Sequence, residues 1–376
     1  MRSAEHHQMN RITRNQIIIL TLLMVAGWMP ATGTGKDSLP GRPVNIILMI
    51  GDGMGVSHLS VPYYYLDREP VFNRFRSIGL AGTSSATHPV TQSSAAATAL
   101  STGVKTYNTA VGVGPDSLAR KNIVEIASAR GYQTGVISTS SITDATPAGF
   151  YAHVTDRYMQ REIALDLLES EIDFFAGGGL KYFIDTTGRD LFREYGVTVN
   201  FAKLQKIEPQ DPARRYGFLL AMDRMPAMLE GRGGFLADAS GVATDFLSRS
   251  DSGFFLMVEG SQIDWAGHGN NADYMISEMI DFENTVKRVL EYAERDGNTL
   301  VIVTADHETG GFTLAAAGDY QTGTDYGTIV PAFSTTNHSA SLVPVLAFGP
   351  GADLFAGIYE NTELFSKMMS LIDSGF

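Results

Sequence analysis

Asn45–Gly55 reads NIILMIGDGMG: an unbroken apolar run of strand length, then an acidic residue set among glycines. A half-exposed strand alternates apolar and polar residues, whereas this one shows no alternation and needs cover on both faces. The glycines mark the change from strand to loop. Outward along the chain the pattern returns in GVIS (135–138), GFFLMVEG (253–260), TLVIVTAD (299–306) and VPVLAFGP (343–350). Helical segments fall between these runs, at 123–129, at 159–168 and as a closing helix at 364–372. Met275, Met279, Phe282, Val286 and Val289 recur at helical spacing, a core-facing stripe. Apolar strands alternating with helices predict an α/β fold with a mostly parallel central sheet and helices on both faces. Residues 177–250, with GGGLKYF, EPQDPARRYG and GRGG, read as a peripheral excursion from that sheet. No internal repeat or low-complexity tract interrupts the pattern.

The 376 residues are 44% hydrophobic, enough for a large core, and carry a formal net charge of −13. That balance, without a cluster of Lys and Arg, argues against a nucleic-acid-binding surface. The first 35 residues read as a cleaved secretory signal. Arg11 and Arg14 precede an apolar run from Ile17 to Ala26, followed by Gly27, Pro30 and small residues. The run is shorter than the ~20 residues a membrane-spanning helix needs. Removing this leader takes away three arginines and Glu5, a net +2, so −13 becomes −15. The expected mature domain, 36–376, is therefore exported, to the periplasm or the medium. With no cysteine it has no disulfide to hold it together.

Chemistry-bearing residues gather just past the strands. In open α/β sheets ligands bind beyond the carboxyl ends of the strands. Asp52 follows the first run, Glu259 ends GFFLMVE, and Asp306 with His307 follows TLVIVTA. Asp264 and His268, four residues apart, face one way if that turn is helical. His338 lies in TTNHS just before the last strand. Seven such residues in register with strand ends are more than caps and isolated surface groups would produce. Imidazole with carboxylate suits Zn²⁺, whereas Asp52, Glu259 and a hydroxyl such as Thr146 are all-oxygen donors suited to Mg²⁺. The residues alone leave open which ligand serves which ion. TQSSAAATALSTG (91–103) reads as a short helix opened by a serine N-cap and closed by Gly103. An anion beside Ser93 or Ser94 would be stabilised at its N-terminus.

Taken together, NIILMIGDGMG, TQSSAAATALSTGVKTYN, TDATPAGFYAHVTDR, FFAGGGLKYF, FFLMVEGSQIDWAGH, TADHETGGF and TTNH resemble the alkaline phosphatase family, in order and over nearly the whole mature chain. The resemblance implies an alkaline-phosphatase-like fold and hydrolysis of phosphate monoesters to inorganic phosphate, with two Zn²⁺ and one Mg²⁺. Ser93 matches the nucleophile that is transiently phosphorylated, and Arg157 the arginine that grips phosphate. Asp264, His268 and His338 match the ligands of the first zinc; Asp52, Asp306 and His307 match those of the second. Asp52 is shared with a magnesium-type site that also uses Thr146 and Glu259. The resemblance further implies a homodimer.

Two positions depart from the pattern of well-known bacterial members. Gln92 stands before the nucleophile in place of an Asp that orients the arginine; an amide is able to accept from Arg157 but adds no charge. Trp265 replaces a Lys beside Asp264, either as a substrate-facing platform or as a core anchor, and with Asp144 it makes the surroundings of the third metal mixed. His58, His88 and His153 match no metal ligand. A phosphodiesterase of the same superfamily, or a metalloprotein that binds phosphate without turnover, are the alternative readings.

Overall fold

The run at Asn45 becomes strand β1 (Asn45–Gly51), buried along its whole length. In this computed structural model, which describes residues 45–184, 190–207 and 215–373, thirteen further strands follow. They are β2 (Ser77–Gly82), β3 (Gln133–Ser141), β4 (Phe174–Gly178), β5 (Thr198–Asn200), β6 (Tyr216–Leu219), β7 (Phe254–Gly260), β8 (Thr299–Thr304), β9 (Glu308–Thr309), β10 (Thr313–Asp319), β11 (Gly323–Ala332), β12 (His338–Ser339), β13 (Val343–Phe348) and β14 (Gly357–Glu360). The leader expected over 1–35 lies outside the described residues. Among the described residues, no helix is long and apolar enough to cross a membrane.

Ten strands form one sheet in the order β14-β2-β13-β8-β1-β7-β3-β4-β6-β5. From β8 to β5 every neighbour is parallel. The central strands β8, β1, β7 and β4 are buried at every position, as their unalternating sequences require. Strand β13 departs from the parallel pattern: it runs antiparallel to both β8 and β2. Cover on both faces gives an apolar run whichever way a strand points, so the direction of 343–348 is not encoded in its composition. The methionine-rich stripe becomes the helix Ala272–Asp296, capped by Asn271 and ended by Gly297 at φ 74.

The segment 177–250 is only partly peripheral. It supplies β5 and β6 at one edge of the sheet, and its helix Phe235–Leu247 buries Leu236, Ala239, Ala243 and Leu247. A buried triad ties this segment down. Arg232 donates to Glu278 and, at 2.8 Å, to Asp281, both on the helix Ala272–Asp296. These side chains are 0, 2 and 5% exposed.

Parallel register brings the chemistry to one end. Ile50 on β1 pairs with Glu259 on β7 and with Thr304 on β8, while Ser138 on β3 pairs with Glu259. Asp52, Glu259 and Asp306 therefore emerge beside one another at the carboxyl edge. Arg232→Met, which strands two buried carboxylates, is expected to lower the unfolding free energy by about 3–5 kcal/mol in denaturant titration. Breaking the exposed Lys181–Asp223 pair, 3.0 Å apart, is expected to change it by less than ~1 kcal/mol.

Candidate active site

The helix Ser93–Thr102 packs every residue into the interior, which its alanines and small hydroxyls permit, and ends at Gly103 in the left-handed conformation. Its start corrects the expectation of a serine cap: Gln92 occupies the N-cap position without a capping side-chain bond, and Ser93 is the first helical residue. The Ser93 hydroxyl is thus free of capping and lies 3.1 Å from His307 Nε2. It opens into a cavity of about 300 Å³ that Arg157, Asp144, Trp265, Asp52 and Glu259 also line.

Two clusters sit beside this hydroxyl. Asp264, His268 and His338 form one, and Asp52, Asp306 and His307 the other; within each, the candidate ligand atoms lie within 4.8 Å of one another. The helix Gln262–His268 places Asp264 and His268 one turn apart, with His268 Nε2 3.4 Å from Asp264 Oδ2. Strand β12 delivers His338 from 70 residues downstream, its Nε2 3.1 Å from that of His268 and 3.5 Å from Asp264 Oδ1. In the second cluster His307 Nε2 lies 3.2 Å from Asp306 Oδ2 and 3.4 Å from Asp52 Oδ1.

All three imidazoles are held through their other nitrogen. Nδ1 of His268 meets the Thr336 carbonyl at 2.6 Å, Nδ1 of His338 the Thr91 carbonyl at 2.8 Å, and Nδ1 of His307 the Thr309 hydroxyl at 3.2 Å. A proton on Nδ1 toward a carbonyl leaves Nε2 with a lone pair, as a metal ligand needs. Burial, and then the neighbouring His338, hold His307 well below the usual imidazole range and so neutral.

A third group lies behind Asp52. Thr146 Oγ1 is 3.4 Å from Asp52 Oδ2, and Glu259 accepts a hydrogen bond from the Ser138 hydroxyl, itself 2.8 Å from that of Ser261. Burial first, then the charge of Asp306, pushes the Asp52 carboxyl well above the ordinary range; burial pushes Asp306 up and Glu259 to about 8. Asp52 Oδ1 and Asp306 Oδ2 are buried without a hydrogen-bond partner. Crowded, desolvated carboxylates with orphaned oxygens fit divalent cations, whose charge offsets the repulsion.

Arg157 is anchored differently from the sequence expectation. Its guanidinium donates to Asp144 at 2.9 Å, while Gln92 Oε1 is buried without a partner. Asp144, read from sequence as part of the third metal's surroundings, is thus the arginine's tether and the N-cap of the helix Ala145–Ala148. The histidines left unmatched from sequence lie elsewhere. His58 is buried against Phe312, His153 contacts Glu125 and the Gly112 carbonyl, and His88 is exposed beside Thr87. Sequence reading missed Ser138, Ser261 and Thr309. For Ser138 a signal existed, since it closes the apolar run GVIS, and in the structure it pairs with Glu259 across β3 and β7.

A family model described as alkaline phosphatase matches residues 44–328. Among curated proteins, Alkaline phosphatase 3 of Bacillus subtilis is 38% identical over 73% of this chain and 63% of its own length. Alkaline phosphatase of Escherichia coli is 31% identical over 91% of this chain and 88% of its own. The structure of alkaline phosphatase from the Antarctic bacterium TAB5 superposes with a TM-score of 0.86 at 50% identity, covering 89% of this chain and 98% of that one. A variant of that protein has Mg bound in its M3 site. With the motifs in order and the sheet, helix and ligand clusters in place, this chain belongs to the alkaline phosphatase family, metal-dependent phosphoric monoester hydrolases.

Proposed function

We propose that the mature chain, residues 36–376, is an exported phosphomonoesterase that works through a phosphoserine on Ser93. The observation that carries this reading is the Ser93 hydroxyl itself. It stands at a helix N-terminus, 3.1 Å from His307, in the cavity that Arg157 also lines. Asp264, His268 and His338 would hold one Zn²⁺, and Asp52, Asp306 and His307 the other. Asp52, Thr146 and Glu259 would hold Mg²⁺. Bound there, such cations act as Lewis acids and lower the pKa of a coordinated hydroxyl or water.

The chain's own residues do the rest. Arg157 presents two parallel N–H groups to two phosphate oxygens, a geometry that a lysine lacks, and Asp144 keeps that fork aimed at the cavity. The unpaired N–H groups of the first helical turn face the same anion. Ser93 Oγ attacks phosphorus as the bond to the leaving alcohol breaks. Water then cleaves the serine ester and inorganic phosphate departs, leaving Ser93 as it began. Two copies of the chain are expected to associate as a homodimer, outside the cytoplasm once the leader has been removed.

Chelator-stripped protein reloaded with Zn²⁺ and Mg²⁺ is expected to hydrolyse an aryl phosphate monoester at alkaline pH in preference to the matching diester or sulfate. Preference for the diester would leave the ligands standing and remove the substrate assignment. Ser93→Ala is expected to lower kcat by ~10³ or more, and near-normal turnover would end its role as nucleophile. Gln92→Asp adds a charge-assisted partner beside Arg157. It is expected to tighten inhibition by inorganic phosphate about fivefold, or ~1 kcal/mol, and an unchanged inhibition constant would contradict this.

A further inference from the structure

A second cavity, of about 560 Å³, adjoins the first and shares Asp144, Tyr158 and Trp265 with it as common walls. Its volume falls within the range of small-molecule sites, roughly 300–1,000 Å³. The rest of its lining includes Tyr182, Tyr274 and Arg224. Four aromatic rings and one guanidinium therefore line a space that shares walls with the cavity of Ser93 and Arg157.

These walls are held in place. Tyr274 spends its hydroxyl on Gln262 Oε1, 2.6 Å away. The Gln262 amide in turn donates to the carbonyls of Thr139 and Met225 at 2.9 and 2.8 Å. Met225 directly follows Arg224, so the same network fixes the loop that carries the guanidinium. That loop is also bonded to the chain after β4: Leu180 N donates to Ala221 O at 3.2 Å and Lys181 N to Met222 O at 3.0 Å. Gly178 makes the approach possible, because a Cβ there would lie 1.9 Å from the Asp223 carbonyl oxygen. Arg224 ends up over the Trp265 ring, its Cζ 5.6 Å from the ring centroid. Trp265 lies next to Asp264 on the helix Gln262–His268, so one face of the cluster's own helix forms the partition between the cavities.

We propose that this groove is a leaving-group subsite for phosphate monoesters of alcohols that carry a planar aromatic ring, above all nucleoside 5′-monophosphates. The proposal rests on the phosphomonoesterase reading above and adds its substrate preference. With phosphate at Ser93 and Arg157, the ring of such an ester reaches past Trp265 and stacks among the aromatic walls and the Arg224 plane. Any base has a π-face, so stacking discriminates aromatic from aliphatic esters while tolerating different bases. Residues from the 177–250 segment, Tyr182 and Arg224, make up part of the walls, which ties selectivity to a stretch that bears none of the residues assigned to catalysis.

The test compares kcat/KM for adenosine 5′-monophosphate and ribose 5-phosphate on the metal-loaded enzyme. Both esters release a primary 5′ alcohol, so their ratio isolates the base. Stacking of this kind is worth about 1–3 kcal/mol, which sets an expected ratio of roughly 5–150 in favour of the nucleotide. Arg224→Ala and Trp265→Leu are each expected to bring the ratio at least threefold closer to one. A ratio near one in the parent, or a ratio that both variants preserve even while lowering both rates, overturns the subsite. Absence of turnover on either ester overturns the phosphomonoesterase reading, and the subsite falls with it.

Discussion

Four carboxylates, those of Asp52, Glu259, Asp264 and Asp306, are brought out of water at the carboxyl edge of one sheet, and each is 6% exposed or less. Burying a single unpaired carboxylate costs several kcal/mol, and mutual repulsion adds to that cost. The raised pKa of Asp52, Asp306 and Glu259 registers the same strain as resistance to ionisation. Only positive charge of high density offsets such a cluster without filling the cavity with side chains. The family's dependence on divalent cations is in keeping with this arrangement.

Holding those groups in place takes more of the chain than the ligands themselves. The imidazoles are oriented by carbonyls of Thr336 and Thr91 and by the hydroxyl of Thr309. Thr309 also donates to Asp264 at 2.5 Å, so one hydroxyl spans both clusters. Glu308, beside His307, accepts a hydrogen bond from Ser339, beside His338. The short pairing of β9 with β12 thereby locks the two late histidine segments together, and the His307 and His338 rings stack with centroids 3.6 Å apart. Such a frame limits how far any of these candidate ligands drifts from its neighbours.

The sheet separates two kinds of task. Its central parallel strands carry the charged groups at their ends, where backbone register fixes spacing to within a residue. The segment between β4 and β7 wraps the edge, is pinned by the buried Arg232 triad and contributes walls rather than reacting groups.

Much of this was legible from local pattern alone. NIILMI, GFFLMVE and TLVIVT announce buried strands because apolar character without alternation requires cover on both faces, and the acids just past them follow from where loops must lie. Asp264 and His268 show their shared face by spacing within one helical turn. Long-range partners leave no such trace. That Asp144 rather than Gln92 tethers Arg157, that β13 runs antiparallel, and that Trp265 divides two cavities all depend on segments far apart in the chain. Sequence by itself determined the strands β1, β3, β7, β8 and β13 and the candidate ligands near their ends, because period, punctuation and residue type are local properties. Only the tertiary structure decided which oxygen or ring meets which neighbour, because those contacts are set by strand register and packing between elements that are remote in sequence.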